Sequence, residues 1–435
     1  MKIKVIDSSY EKVMAIEPPK HEKPKKTPFF MRALMKTLSH INLKNNNMLY
    51  FEHGIEKLGK KEPCLVLMNH SSFIDLQIAA DYLYPRPFST VTTTDAYVGK
   101  PWLMKLIGCI PTQKFVTDLT LIKDISYALK KLGTTVLMYP EASYSFDGTA
   151  ITLPDTLGKL LKLLKVPVVT IITHGAFARE PLYNMLRHRE VDITADVTYL
   201  LSPEDIESKS VEELNEILTQ AFSFDNFKYQ QEHDITISED FRADGLERVL
   251  YKCPHCMVEG KNIGKGITIK CTECQKEYEL TEKGFLQATD GDTRFDHIPD
   301  WYAWEREEIK KEITRGEYLL DIDVEIIMMV DYKALYRIGD GHLRHDTDGF
   351  SLRSNDGKLD YHQSSLASYS LCADYFWYEI GDMISIGNKH HLFYCFPKKS
   401  EATIVAKAKM AAEEIYKLAI NEKRTNKSEN KESEK

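Results

Sequence analysis

Residues 69–75, Asn-His-Ser-Ser-Phe-Ile-Asp, place a histidine five positions before an aspartate. Imidazole has a pKa near neutrality and can take a proton from a hydroxyl group when a partner holds the ring in place. A carboxylate bonded to one ring nitrogen does this and leaves the other nitrogen free. We therefore interpret His70 as a candidate general base and Asp75 as the group that orients it. An ordinary hydrogen-bonded loop histidine is the alternative.

The same stretch also predicts the start of a helix. Ser72 lies three residues before Asp75, which is the spacing of a capping box. An acidic side chain in the first turn also interacts favourably with the helix dipole. The two interpretations are compatible, because a helix that starts here brings the carboxylate close to the imidazole.

Four cysteines form a second group with chemical potential. They occur as two Cys-x-x-Cys pairs separated by residues 257–270: Cys253, Cys256, Cys271 and Cys274. Four thiolates at this spacing predict a closed tetrahedral zinc site of structural type, a zinc ribbon. Iron bound by the same four sulfurs is the alternative metal. No position would remain open for catalysis.

Composition sets the broad class of the protein. With 435 residues and 43% hydrophobic content, the chain has the length of about two to four globular domains. The formal net charge of −8 argues against nucleic acid as a partner, since phosphate-binding surfaces are basic. No apolar run has the length of a membrane span, and the first residues lack the apolar core of a signal peptide. We expect a cytoplasmic protein.

The elements that position these groups follow from the order of patterns along the chain. Strand-like and helix-like segments alternate from residue 63 to residue 201, which predicts an α/β sheet with parallel pairs. Ligands of such sheets bind beyond the carboxyl ends of the strands. Residues 69–75 and 139–149 both follow predicted strands, so both could face one cleft.

The whole chain is predicted to be multidomain. The module after the cysteines is rich in short strands separated by turns and ends in a helix, which predicts a β-sandwich or small barrel of pleckstrin-homology or GRAM-like layout. The predicted segments are a basic, proline-rich leash (1–28), an α/β domain with an N-terminal amphipathic helix (29–222), a linker (223–247), the zinc ribbon (248–285), the β-rich module (286–420) and a disordered tail (421–435).

Four blocks of sequence resemble those of the glycerolipid acyltransferase family, typified by 1-acylglycerol-3-phosphate acyltransferase. Residues 69–75 resemble its His-x-x-x-x-Asp block, and residues 103–115 resemble its second block, which ends in a basic residue. Residues 138–149 resemble its Phe-Pro-Glu-Gly-Thr-Arg-Ser block, and residues 165–173 resemble its Val-Pro strand. The blocks occur in the family's order and at similar spacing.

The chain departs from the family pattern at the basic positions. Lys114 stands where the second block usually has arginine, and Tyr144 stands in place of the third block's arginine. In the family these basic residues help to hold the acceptor's phosphate, a task for which guanidinium is well suited. The sequence offers three arginines as possible replacements, namely Arg179, Arg187 and Arg189.

The resemblance implies transfer of a fatty acyl group from acyl-CoA or acyl-ACP to a glycerolipid hydroxyl in phospholipid synthesis, with 1-acylglycerol 3-phosphate or a related lysolipid as acceptor. His70 would be the base and Asp75 its orienting partner. The implied substrate-binding residues are Lys114, Glu141 and Ser143. Two alternatives remain open, namely an acyltransferase with an acceptor that lacks phosphate and a catalytically weak or inactive scaffold that binds lipid or protein.

A lipid substrate also implies contact with a membrane surface. The segment 29–43 predicts an amphipathic helix whose apolar residues share one face: Phe30, Leu34, Leu38 and Ile41. Several lysines precede it, which favours an interfacial helix attracted to anionic lipid. Packing against the α/β domain is the alternative. We expect peripheral association with the inner face of the cell membrane.

Overall fold

The computed structural model describes residues 3–44, 47–116, 118–398 and 403–433. These residues form three β-sheets of seven, four and eight strands. We call residues 49–201 the α/β domain, residues 248–288 the cysteine-rich region and residues 298–433 the C-terminal module. Within the described ranges, we find no helix with both the length and the apolar character needed to cross a membrane.

The N-terminal segment differs from the predicted leash. It contains strand β1 (Val5–Asp7), helix α1 (Tyr10–Met14) and helix α2 (Phe29–Lys44). Strand β1 pairs in parallel with residues 335–337 of the C-terminal module, where Val5 packs against an apolar cluster. The residues between α1 and α2 have no regular structure, as their prolines predict, but lie against the α/β domain, where His21 bonds to Asp124.

The α/β domain contains a sheet with the strand order β2-β8-β7-β3-β6-β4-β5, parallel except between β7 and β8. Its elements are β2 (Leu49–His53), β3 (Leu65–Met68), α3 (Asp75–Leu83), β4 (Phe88–Thr93), α4 (Pro101–Leu106), β5 (Ile110–Thr112), α5 (Leu119–Lys130), β6 (Thr135–Met138), α6 (Leu157–Leu164), β7 (Val168–His174), α7 (Ala176–Arg179) and β8 (Thr194–Leu201). Helices cover both faces of this sheet, as the alternating pattern predicts.

Strand β3 lies at the centre of the sheet and is buried on both faces. Its side chains alternate between two cores. Val66 and Met68 pack with the cluster that includes α2 and α3, and Leu65 and Leu67 pack with the cluster that includes α5 and α6. Because β3 and β6 are parallel neighbours, the loops that follow them leave the same edge of the sheet.

Three helices follow the sheet: α8 (Pro203–Ser208), α9 (Val211–Ala221) and α10 (Asn226–Glu232). The sequence predicts a single helix from residue 203 to residue 222. It is interrupted at Lys209 because Ser210 begins a new helix with a capping box that includes Glu213. The predicted linker, 223–247, also contains structure, since Asp225 caps α10 and Leu246 is buried in the main core.

The cysteine-rich region is a four-stranded antiparallel sheet with the order β12-β11-β10-β9. Its strands are β9 (Asn262–Lys265), β10 (Thr268–Cys271), β11 (Glu277–Leu280) and β12 (Leu286–Ala288). Each Cys-x-x-Cys pair is followed by a residue with left-handed backbone, Met257 and Gln275, whose N–H donates to the carbonyl of the first cysteine of the pair. The two pairs therefore form matching turns.

The C-terminal module consists of two helices and one antiparallel sheet with the order β16-β15-β14-β13-β19-β18-β17, to which β1 is added at β14. Its elements are α11 (Ile298–Thr314), β13 (Leu320–Met329), β14 (Leu335–Asp346), β15 (Gly349–Ser354), β16 (Asp360–Ser364), β17 (Cys372–Trp377), β18 (Gly381–Gly387), β19 (Leu392–Pro397) and α12 (Thr403–Ser433).

This single sheet differs from the predicted sandwich or barrel. Its apolar face is covered by helix α12, whose residues Ile404, Ala408 and Ile415 are buried in the same core as Val324. A helix thus takes the place that a second sheet would have. Helix α12 also continues through residues 421–433, for which the sequence predicts disorder, because lysine and glutamate are good helix formers.

The three units share one hydrophobic core. It contains Phe146 and Phe177 of the α/β domain, Tyr278 of the cysteine-rich region, and Val324 and Ala408 of the C-terminal module. The C-terminal module therefore lies directly against the loops at the carboxyl edge of the α/β sheet.

Candidate active site

His70 and Asp75 meet at the carboxyl edge of the α/β sheet. Strand β3 ends at Met68 and α3 begins at Asp75, so a short loop carries the histidine. The His70 Nδ1 lies 3.0 Å from Asp75 Oδ2, and the same oxygen accepts hydrogen bonds from the backbone N–H groups of Ser71 and Ser72 at 2.8 and 3.0 Å. With a carboxylate accepting at Nδ1, the neutral ring leaves Nε2 as a proton acceptor.

The predicted serine cap differs from the structure. Ile74 occupies the cap position of α3 without a side-chain bond, and the Ser72 hydroxyl donates instead to Glu180 Oε2 at 3.0 Å. The second half of the capping box is present, since Asp75 accepts the N–H of Ser72. Ser72 is buried beside Glu180, and its hydroxyl donates to that carboxyl group where a cap would have used the hydroxyl oxygen to accept a helix N–H.

Two tyrosine rings enclose the imidazole. The Tyr139 and Tyr144 rings stack on His70 with centroid distances of 4.2 and 4.0 Å. Two rings this close to one imidazole can only lie on opposite faces, so the histidine is reached along its edge. Its side chain is 18% exposed, and burial lowers the pKa of His70 although Asp75 opposes the shift. The ring is therefore neutral at pH 7.

Glu141, in the third sequence block, bonds to the loop that carries His70. Its carboxyl group is fully buried, with Oε2 accepting the N–H of His70 at 2.9 Å and Oε1 accepting the N–H of Ile151 at 2.8 Å. Burial raises the pKa of Glu141 to about 8, against the effect of these two N–H groups. The next residue, Ala142, has a left-handed φ of 57°. A glycine at this position would have no steric cost, which agrees with the family pattern.

The other predicted substrate-binding residues face the C-terminal module. Ser143 is buried, and its hydroxyl oxygen accepts a hydrogen bond of 2.8 Å from Lys409 Nζ of α12. Lys114 follows β5 and is half-buried. Burial lowers its pKa while Asp374 of β17 and Asp95 raise it, and the net direction is upward. The candidate site thus lies between two units of the chain.

The sequence interpretation missed the contribution of the C-terminal module. Lys409 lies in the apolar stretch of α12, and this isolated cation among buried positions is the signal that could have revealed it. The three arginines offered as replacements have other partners. Arg179 pairs with Glu180, Arg187 pairs with Asp244, and Arg189 donates to the Tyr183 hydroxyl.

The four cysteines of the two pairs converge on one point. Their sulfur atoms all lie within 4.8 Å of one another. The Cys253 and Cys274 sulfurs are 3.7 Å apart, as are those of Cys256 and Cys271. A tetrahedron with metal–sulfur bonds of about 2.3 Å has sulfur–sulfur edges of about 3.8 Å. Two edges of the cluster have this length, and all four sulfurs lie close enough together to bind one metal ion.

Comparison with known proteins identifies the α/β domain. Residues 50–174 match the family model described as Acyltransferase, a range that contains all four sequence blocks. A crystal structure of the 1-acyl-sn-glycerophosphate (LPA) acyltransferase PlsC from Thermotoga maritima is similar to 44% of this chain and 77% of its own, at 14% identity and a TM-score of 0.36. No curated protein matches the sequence. The family match confirms the resemblance for this region, and we therefore call it the acyltransferase domain.

Proposed function

We propose that the protein transfers a fatty acyl group from an acyl thioester, acyl-CoA or acyl-ACP, to the hydroxyl of a glycerolipid such as 1-acylglycerol 3-phosphate. The observation that carries this proposal is the His70–Asp75 pair within a domain that matches the acyltransferase family. A neutral imidazole with a free Nε2 is suited to take a hydroxyl proton, and Asp75 is suited to stabilise the imidazolium that results.

The proposed reaction proceeds by direct transfer. The acceptor oxygen attacks the thioester carbonyl as its proton passes to His70 Nε2, and a carbon–oxygen bond forms. The tetrahedral intermediate then collapses, the carbon–sulfur bond breaks, and the imidazolium returns the proton to the thiolate. The turn at Ala142 and Ser143 is our candidate for stabilising the oxyanion through backbone N–H groups.

The predicted substrate-binding residues have different roles in this proposal: Lys114, Glu141 and Ser143. Both oxygens of Glu141 are occupied by backbone N–H groups, which favours a role in positioning the loop of His70 over direct contact with the acceptor. Lys114 and Ser143 remain the candidates for binding the acceptor. Coenzyme A or acyl carrier protein would enter as co-substrate.

The outer surface of α2 supports the proposed contact with a membrane. The helix packs antiparallel to α3, since Lys36 bonds to Asp81 and Asn42 bonds to Gln77. Its apolar face points outward, with Phe30, Leu34, Leu38 and Ile41 all exposed. The C-terminal end of α2 approaches the N-terminal end of α3, which lies beside the candidate active site. The exposed ring of Phe73 is located there, 5.6 Å from the ring of Tyr144. We propose that this surface rests on the inner face of the cell membrane.

Vesicle binding tests the membrane contact. Replacing Leu34 and Leu38 of α2 with serine should weaken cosedimentation with vesicles that contain anionic lipid. Leu163→Ser, at an exposed leucine of α6, is the matched control and should leave it unchanged. Equal binding by all variants would contradict this part of the proposal.

The cysteine cluster is proposed to bind one structural zinc ion. The donor set, four sulfurs with two edges of 3.7 Å, fits zinc and leaves no open coordination position. When bound, the metal would hold Cys253, Cys256, Cys271 and Cys274 together and thereby the two turns of the ribbon. Iron is distinguished from zinc by metal analysis and by the colour of an iron–thiolate centre.

Acyl transfer to a panel of lysolipids is the decisive test. The wild-type protein should form acylated product from a labelled thioester, and His70→Ala should lose about 10²–10⁴ of the rate. His53→Ala is a matched control, because His53 also pairs with an aspartate, Asp196, but at an exposed site. Full activity of His70→Ala would exclude the proposed base. Lipid binding by the wild type without turnover would support the scaffold alternative.

A further inference from the structure

Helix α12 places an ammonium group in the candidate active site. Lys409 is 4% exposed, although the helix belongs to a different unit from the acyltransferase domain. Its Nζ donates to the Ser143 hydroxyl at 2.8 Å and lies 4.4 Å from the centroid of the Phe146 ring. Both partners belong to the loop that begins with Glu141. The contact joins residues 266 positions apart in the sequence.

Within the described part of the chain, this ammonium group has no ion-pair partner at contact distance, although the carboxyl groups of Glu413 and Asp374 act on it from further away. Across the described ranges, no carboxylate oxygen lies within 4.0 Å of Lys409 Nζ. Glu413, one turn further along α12, is occupied by Arg306 at 2.7 Å and by the Ser370 hydroxyl at 2.7 Å. A buried charge without a counter-charge is costly, and proteins keep such groups where a ligand supplies the opposite charge.

A second cation lies nearby. Burial lowers the pKa of Lys409, Glu413 opposes the shift, and Lys114 adds to the lowering, which places the two ammonium groups within electrostatic range of each other. Lys114 likewise lowers the pKa of His70. Lys114 therefore lies within electrostatic range of both Lys409 and the proposed base. An anion bound between the two ammonium groups would relieve the repulsion between them.

The third sequence block explains why a cation from elsewhere is needed. At the position where the family has arginine, this chain has Tyr144, whose ring stacks on His70. The neighbouring residue, Ser143, is the one that Lys409 contacts. The ammonium group of α12 therefore lies next to the position at which the family has arginine.

We propose that Lys409, together with Lys114, binds a phosphomonoester on the acceptor, so that the C-terminal module supplies a specificity-determining residue to the acyltransferase domain. This inference rests on the proposed function. The acceptor's phosphate and the 3′-phosphate of coenzyme A share the same chemistry. We assign the site to the acceptor because Lys409 contacts Ser143, in the same loop whose Glu141 bonds to the backbone of His70, the proposed base for the acceptor hydroxyl.

The test compares two acceptors with identical acyl chains, 1-acylglycerol 3-phosphate and the corresponding monoacylglycerol. The variants are Lys409→Met, which removes the charge, and Lys409→Gln, which removes the charge but keeps a donor for Ser143. We expect the ratio of kcat/KM for the phosphate-bearing acceptor to that for the neutral acceptor to fall by about 10- to 100-fold, mainly through KM. Lys409→Gln keeps the proposal testable if Lys409→Met does not fold.

Lys417→Met is the matched control, because Lys417 lies on the same helix, is half-exposed and pairs only with Glu414. It should leave the ratio unchanged. An equal loss with both acceptors would show that Lys409 is merely structural and would overturn the inference. A change confined to the KM of acyl-CoA, absent with acyl-ACP, would assign the charge to the donor and also overturn it. Absence of turnover in the wild type would instead refute the proposed function.

Discussion

Two lysines of α12, two residues apart, have opposite electrostatic environments. Lys407 lies in a cluster of opposite charges, with its Nζ 2.7 Å from Glu259 Oε2 and 2.8 Å from Glu312 Oε2. Lys409 is the more deeply buried of the two and has a hydroxyl group and an aromatic ring as its neighbours. The first arrangement joins α12 to α11 and to the cysteine-rich region. The second leaves a charge available at the candidate active site.

The pKa values of carboxyl groups also differ between the charge cluster around Lys407 and the candidate active site. Burial raises the pKa of Glu259, but Lys407 and Lys252 reverse this, and the net pKa is lowered. Glu141, which is bonded only to backbone N–H groups, keeps a pKa raised to about 8. In this comparison the paired charges join structural elements, whereas, among the described residues, Glu141 and Lys409 lie without a paired charge in contact at the candidate active site.

Removal of the metal is expected to have the largest effect. Structural zinc contributes on the order of 10 kcal/mol in small domains, so a chelator should unfold the cysteine-rich region. Glu259 would then no longer hold Lys407, and Lys409 would lose its place beside Ser143. We expect activity and the thermal transition to be lost together and to return when zinc is added back. A metal-free protein with the normal thermal transition and normal activity would contradict the proposed dependence of the candidate active site on the cysteine-rich region.

Asp75→Asn should cost about 10²–10⁴ in kcat, because the imidazolium loses its counter-charge. Asp75 raises the pKa of His70 against burial. Without the carboxylate that pKa falls further, so the acidic limb of the variant's rate profile should lie at lower pH than that of the wild type. Asp196→Asn, at the partner of His53, is the control. An acidic limb that moves upward would contradict the proposed pairing.

Lys407→Met tests the paired side of the comparison. It should reduce the free energy of unfolding by about 2–4 kcal/mol, since Glu259 and Glu312 would be left without a counter-charge. The preference between phosphate-bearing and neutral acceptors should stay as in the wild type. Urea denaturation and acceptor competition measure the two quantities. If Lys407→Met changed the preference as Lys409→Met does, the distinction between the two lysines would be wrong.

Ala142→Gly is expected to have the smallest effect. Glycine removes the steric cost of the left-handed backbone, and the added freedom of the unfolded chain offsets most of that gain, so the stability should change by less than about 1 kcal/mol. Ala412→Gly, in the right-handed backbone of α12, should destabilise by about 1 kcal/mol. A similar destabilisation at both positions would show that the turn does not favour glycine.

The local parts of the site could be predicted from the sequence. His70 and Asp75 are five residues apart at the end of a strand, and each pair of cysteines lies within one turn, so spacing alone brings these groups together. The loss of the predicted cap at Ser72 has no local signal, because the Ser72 hydroxyl bonds to Glu180, more than one hundred residues away.

The long-range parts of the structure have no comparable local signal. Lys409 reaches the site through the packing of α12 on the common core, and no spacing near residue 409 indicates this. Strand alternation likewise predicts that the C-terminal sheet has an apolar face, but it does not tell whether a second sheet or a helix covers that face. For the same reason, the sequence predicts a leash where the structure has the three residues of β1.

The pairing of β1 with β14 bears on the order in which the protein can mature on the ribosome. Val5 precedes the acyltransferase domain in the sequence, whereas its partner Leu335 follows that domain, and Lys409 follows later still. The acyltransferase domain is therefore complete in sequence well before its site is complete in structure. A nascent chain would not acquire the proposed phosphate site until helix α12 has been translated, which delays acceptor recognition until long after the domain itself has left the ribosome.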